Sequence, residues 1–289
     1  MSNQFVSGLR EYKHDVRDFK FEKVFGLATE IPEFFYEPLS IKDQKSTDFC
    51  VAFSLTEVAE YLDKVELDPI WFFSRIKEKE GNYLSFGADF KTAGKTAVDI
   101  GFLPQVFAPY DINRDRNFLA NPENYSDDLK VSALPYRKKS YFFTGIGFQN
   151  TISAMYLNKT PITVGCNWCD EWMYQQGGII DNGGQVLGQH AMRACGWKRM
   201  NGKRYMGILN SYGKDVGGNA IFWFVEDIYN KYFKMTPMVI VDLSPEEAKQ
   251  MTWGNKAKLY NIIIKTAQNL ILKLNELYQR TIENAGLSN

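Results

Sequence analysis

The chain has 289 residues, 45% of them hydrophobic and 15% aromatic, enough apolar material for one large domain or two intimate lobes. Lys plus Arg and Asp plus Glu each number 34, so the formal net charge is zero. That balance argues against a dedicated nucleic-acid or anionic-membrane binder, which needs a basic surplus. No stretch reaches the roughly 18 uninterrupted apolar residues of a membrane span. The opening MSNQFVSGLREYKHDVRDFKF lacks the apolar core of about 7–15 residues that a signal peptide carries. The expected setting is therefore cytoplasmic or otherwise intracellular.

The first thirty residues are mixed and polar and read as an extended arm. Over residues 49–64, Val51, Leu55, Val58, Ala59 and Leu62 share one face at helical spacing, with Asp48 placed to cap the start. A second helix is expected over 69–80, with Pro69 in its first turn after Asp68. A third is expected over 88–100, stopped by Gly101. The second half changes character. Short apolar runs at 160–168, 189–197, 203–211, 219–225 and 236–243 are rich in β-branched and aromatic residues and broken by Gly, Asn and Asp, the pattern of strands. Helices followed by strands imply an α+β protein of two lobes, and a cleft between lobes is a usual place for a site.

The tail reads as a C-terminal helical extension over 244–289. Ser244-Pro-Glu-Glu247 opens like a capping box, and Tyr260, Ile263, Ala267, Leu270, Leu274 and Leu277 step by three and four residues. Such a stripe packs on the body of the protein or docks a second copy or protein partner through residues 255–281.

Four cysteines, Cys50, Cys166, Cys169 and Cys195, are too few for a disulfide scaffold in a chain this long. The two histidines are His14, in the charged arm, and His190. Cys50 stands at the expected start of the first long helix, where the macrodipole and unpaired N–H groups favour a thiolate. On its own it is equally a small buried hydrophobe. His190 heads a strand after the loop DNGGQVLGQ, 140 residues beyond Cys50, and Asn210 follows in GILNSYGKDVGG. That order fits a cysteine nucleophile with His and Asn about 130–150 residues downstream, His190 falling inside the interval and Asn210 just beyond it. Cys166-Asn-Trp-Cys169 has CxxC spacing but neither a second ligand pair nor a βαβ context, so it reads as buried thiols. Cys195 falls in the same class.

Residues 31–240 resemble the papain family of cysteine peptidases. KDQKSTDFCVAFS keeps the family's Gln, five intervening residues and Cys, followed by Ala-Phe-Ser. HAMRACGW is similar to its His-Ala-Val-x-x-Val-Gly-Tyr, and LNSYGKDVGGNAIFWF to its Asn-Ser-Trp-Gly segment and the following strand. HDVRDFKF, LDPIWFFSRIKEKEG and GFLPQVFAPYD are similar to segments of the compact microbial and viral members that lack a long pro-domain. The resemblance implies a two-lobe fold, a helical lobe over about 45–125 and a β-barrel-like lobe over about 126–243 with the N-terminal arm. It also implies a polypeptide substrate, no metal or organic cofactor, Cys50 as nucleophile and His190 as its base. Asn210 would orient the imidazole, and Gln44 would join the Cys50 N–H in an oxyanion hole.

The departures shape the remaining expectations. Asp48-Phe49 stands where the family has Gly-Ser, so Phe49 is expected to narrow the cleft and Asp48 to favour a basic substrate residue. Tyr212 replaces the Trp that shields the His–Asn pair. Gly87, in GNYLSFGADF, is the candidate wall for bound substrate, and Ala191 and Tyr212 are further substrate-binding candidates. Because of Asp48-Phe49 and the tail, an alternative stands beside the peptidase: a weak or inactive papain-fold adaptor in a bacterial complex or virus particle. A third keeps Cys50 for transamidase or isopeptidase chemistry.

Overall fold

In the computed structural model the residues described are 6–12, 15, 18–107 and 111–242, all within one compact unit, Met1–Pro245. The expected helix over 244–289 and His14 lie outside them. In chain order the elements are α1 (Phe21–Phe25), β1 (Phe34–Phe35), α2 (Cys50–Asp63), α3 (Pro69–Glu80), α4 (Phe90–Asp99), α5 (Arg116–Ala120) and α6 (Asp128–Ala133). Then come β2 (Ser140–Phe143), α7 (Phe148–Asn158), β3 (Ile162–Cys169), β4 (Ile179–Ile180), β5 (Val186–Met200), β6 (Lys203–Leu209), β7 (Ile221–Val225), α8 (Glu226–Tyr232) and β8 (Met235–Val241).

The three long helices of the first half form where the apolar spacing places them. Asp68 caps α3, its carboxylate accepting from the N–H groups of Ile70 and Trp71 while Pro69 occupies a position that needs no acceptor. Asp89 does the same for α4 through Thr92. Asp48 does not cap α2. The cap position is Phe49 and no side chain fills the role, because the Asp48 carboxylate is held by Arg116 and the Gly87 N–H instead. Helix α2 is also not amphipathic in use: Cys50 through Glu60 are all buried. Its polar residues are accommodated by partners rather than by water. Glu60 pairs with Lys42 at 2.7 Å and accepts the Leu67 N–H at 2.8 Å, which is what burial of a charge requires.

The strands form one sheet of order β2-β8-β3-β5-β6-β7-β4, with β1 added to β5. All pairings are antiparallel except β4–β7. The sheet is open, which corrects the barrel-like expectation. Closure would need β4 to carry a ladder round to β2, yet β4 has two residues and runs parallel to β7. Among the described residues the outer edge of β2 receives only a bridge between Lys20 and Phe143. The arm is likewise not wholly extended, since Phe21–Phe25 forms a short helix whose Phe21 is buried.

Central β5 is sandwiched between α2 and α7, so its residues from His190 to Trp197 are buried without alternation, as in any strand covered on both faces. The consequence for the site is positional. The N-terminus of α2 abuts the segment of β5 that carries His190.

Candidate active site

Cys50 is the first residue of α2 and is fully buried. Backbone groups of Ala191, Val51 and Gly8 hydrogen-bond with its sulfur, but burial outweighs them and pushes the thiol up to about 12. His190 is paired across the sheet with Cys166, and Ala191 with Gly165. The imidazole is fully buried, and loss of water lowers it to about 4 against the raising effect of Asn210. In this arrangement thiol and imidazole are both neutral, the form desolvation favours for each.

Asn210 follows β6, and its Oδ1 lies 2.9 Å from His190 Nε2 while accepting the Ser211 N–H at 2.8 Å. The Ser211 N–H can only donate, so that atom is the amide oxygen. His190 Nε2 must then be the protonated nitrogen. The tautomer leaves Nδ1 as the basic atom. Tyr212 stacks on the imidazole at 5.1 Å and 5° between planes, and Trp168 meets it edge-on at 5.4 Å. Trp168 was passed over in the sequence as part of the CxxC. Its signal was available only in the register of β3 against β5, which sets Trp168 two residues from the partner of His190.

Gln44 precedes Cys50 by one tight turn. Its backbone N–H donates to Ser211 O at 2.8 Å, tying the turn to the Asn210 segment. Its side-chain amide donates to Thr47 O at 2.8 Å, and the second N–H of that amide remains for another acceptor. The Cys50 N–H, in the first turn of α2, has no acceptor within the helix. Phe49 is fully buried and stacks on Phe73 at 3.9 Å, so its ring joins the core rather than the cleft. Asp48 is buried as well, its two oxygens bound to Arg116 at 2.8 and 2.7 Å.

The segment Val6–Glu11 runs across this site. Gly8 O accepts from Ala88 N and Ala88 O accepts from Arg10 N, each at 2.8 Å. Ser7 Oγ donates to Gln189 O at 2.9 Å, and Glu11 accepts from the Gln189 amide at 3.1 Å. Gly87, at φ 61°, needs the left-handed freedom of glycine, and a Cβ there would come within 2.3 Å of Gly8 O. Leu9 is buried against Gly165 and Met235. Beside it opens a cleft of about 380 Å³ lined by Tyr12, Phe90, Asn167, Gln189 and Met235 among others.

The other three cysteines are free and buried, and burial raises each thiol. Among the described residues no cluster of three or more His, Cys, Asp or Glu side chains has the geometry to hold a metal, and no helix is long and apolar enough to cross a membrane.

Residues 107–241 match the family model described as papain family cysteine protease. The matched segment contains His190 and Asn210; Cys50 and Gln44 precede it. Among solved structures the chain is similar to xylellain, a cysteine protease from Xylella fastidiosa, at 19% identity and a TM-score of 0.66. That alignment covers 82% of this chain and 96% of the other. It is also similar to proCathepsin B S9 from Trypanosoma congolense, at 17% identity and a TM-score of 0.62, covering 82% and 86%. A third is the bromelain protease from Ananas comosus in complex with the E64 inhibitor, at 18% and 0.52, covering 70% and 93%. No curated protein sequence matched. The family segment at 107–241 and the fold of the described residues agree: that segment matches the papain family cysteine protease model, and the described residues share the fold of papain-like cysteine proteases.

Proposed function

We propose that this chain hydrolyses peptide bonds through a covalent acyl-enzyme on Cys50. His190 Nδ1 takes the thiol proton, and the sulfur attacks the substrate carbonyl carbon. The tetrahedral oxyanion accepts hydrogen bonds from the Cys50 N–H and the remaining Gln44 amide N–H, donors worth about 2.7–4 kcal/mol of barrier each. The imidazolium then gives its proton to the leaving amine as the C–N bond breaks. Water, deprotonated by the same nitrogen, releases the acid and restores the thiol. Asn210 holds the ring through Nε2 and so keeps Nδ1 turned to the chemistry.

The observation that carries this reading is the pairing of two contacts. The Cys50 sulfur sits on the backbone of Ala191, and the adjoining His190 is fixed by Asn210 at 2.9 Å in the tautomer the reaction needs. The test is labelling of Cys50 by an E-64-type epoxide together with cleavage of a peptide library, both lost in Cys50→Ala. Protein that resists the epoxide and cleaves nothing even with the Val6–Glu11 segment displaced would sink the proposal.

A second reading, a papain-fold adaptor with little or no activity, draws support from the Val6–Glu11 segment lying over a fully buried Cys50. The two separate on whether displacing that segment makes Cys50 reactive. A transamidase or isopeptidase outcome would show only in the products.

A further inference from the structure

Asp48 was expected to meet substrate, but the structure gives it a different partner. Arg116, on α5, grips it with Nε and Nη2 at 2.8 and 2.7 Å. The same guanidinium donates to two carbonyls of the loop between α3 and α4, Tyr83 O at 2.6 Å and Ser85 O at 2.7 Å. Five donors in a fixed fork make this geometry available to Arg and not to Lys. Asp48 in turn accepts the Gly87 N–H, and Lys77 donates to Gly87 O. Both polar groups of Gly87 are therefore turned inward and held.

The next residue is left presenting its own. Ala88 N–H and C=O pair with Gly8 and Arg10 of the overlying segment, the backbone pairing by which an extended peptide adds to an edge, so a substrate peptide would take the place of that segment there. Asp48 is two residues before Cys50. One ion pair thus sets the distance between the sulfur and the edge on which a peptide would lie.

Resting on the assignment of Cys50 as nucleophile, we propose that Arg116, acting through Asp48, is a positioning residue that registers the Gly87–Ala88 peptide-binding edge against Cys50. It touches neither substrate nor the reacting atoms. Its contribution is to polypeptide recognition rather than to sulfur chemistry, so small and peptidyl reagents should respond differently to its loss.

The test uses the full chain carrying Arg116→Lys, which keeps the charge but loses the fork. A second variant, Asp48→Asn with Arg116→Gln, removes both charges together and avoids stranding a buried carboxylate. Second-order inactivation rates at Cys50 are measured with E-64 and with iodoacetamide, along with KM and kcat for a cleaved peptide. The expected result is a fall of at least tenfold in the E-64 to iodoacetamide ratio and a rise in KM with kcat changed less than threefold. A ratio within twofold of wild type in either folded variant, even with a lowered melting temperature, assigns the pair a purely structural role and overturns the proposal. Protein unreactive to both reagents, with the Val6–Glu11 segment in place and with it displaced by Leu9→Asp, would instead remove the nucleophile assignment, and this inference with it.

Discussion

Asn210 Oδ1 sits 2.9 Å from His190 Nε2 and at the same time accepts the Ser211 N–H. The Ser211 bond fixes which end of the amide faces the imidazole, and that decides which ring nitrogen is basic. Asn210→Ala removes a buried hydrogen bond to a group that becomes charged, an interaction of about 1.5–3 kcal/mol. The expected outcome is a kcat lowered roughly 10- to 100-fold with KM little changed, measured on a cleaved peptide. An unchanged kcat would mean that Asn210 does not orient His190.

The Val6–Glu11 segment covers Cys50, whose thiol burial pushes up to about 12 against the lowering hydrogen bonds of Ala191, Val51 and Gly8. Leu9→Asp places a charge in the apolar slot beside Gly165 and should drive the segment out. Water then reaches the sulfur, the thiolate becomes accessible at lower pH, and iodoacetamide labelling at pH 7 should rise by at least tenfold over wild type. The midpoint of labelling against pH should move down. Equal rates in the two proteins would show that the segment does not control access.

Glu57, one of the buried polar residues of α2, is raised to about 8, by burial first and against the lowering effects of Arg193, Lys42 and Ser211, with Glu60 adding to the rise. The folded protein therefore holds a proton on Glu57 between pH 4.5 and about 8 that the unfolded chain releases. This contribution to stability is complete below the unfolded value and is lost as pH rises through the folded one, with a slope of at most about 1.4 kcal/mol per pH unit. Glu57→Gln keeps the shape and removes the titration. Denaturant melts between pH 5 and 8 should show a flatter decline of stability with rising pH in the variant; an identical slope would place the loss elsewhere.

Phe49 is fully enclosed and stacked on Phe73. Truncation to Ala leaves a cavity beneath the first turn of α2 and should cost about 3–5 kcal/mol, read by urea denaturation. A loss below 1 kcal/mol would mean that the ring is not part of the core.

Much of the frame was legible in the chain itself. Helices α2, α3 and α4 and the five long strands follow from apolar periodicity and, for α3, from the Asp68-Pro69 start, because those signals are local and the structure only had to agree with them; Asp89, expected inside the third helix, caps it instead. The order Gln44, Cys50, His190, Asn210 was also visible, since a motif records spacing along the chain. What no local signal carried were the contacts between distant segments. Asp48 looked like a helix cap and Phe49 like an obstruction until the fold brought Arg116 and Phe73 to them. The barrel-like reading missed that two-residue β4 cannot extend the ladder, and the arm gave no sign that its backbone would pair with Ala88.

Cys50 shows the division most clearly. Its place at the head of a helix was legible in the sequence alone, because periodicity is a property of neighbours in the chain. Its present neutrality was decided only by the tertiary structure. Burial depends on which segments, near or far, come to lie over an atom, and here those are the edge of β5 and residues 6–9.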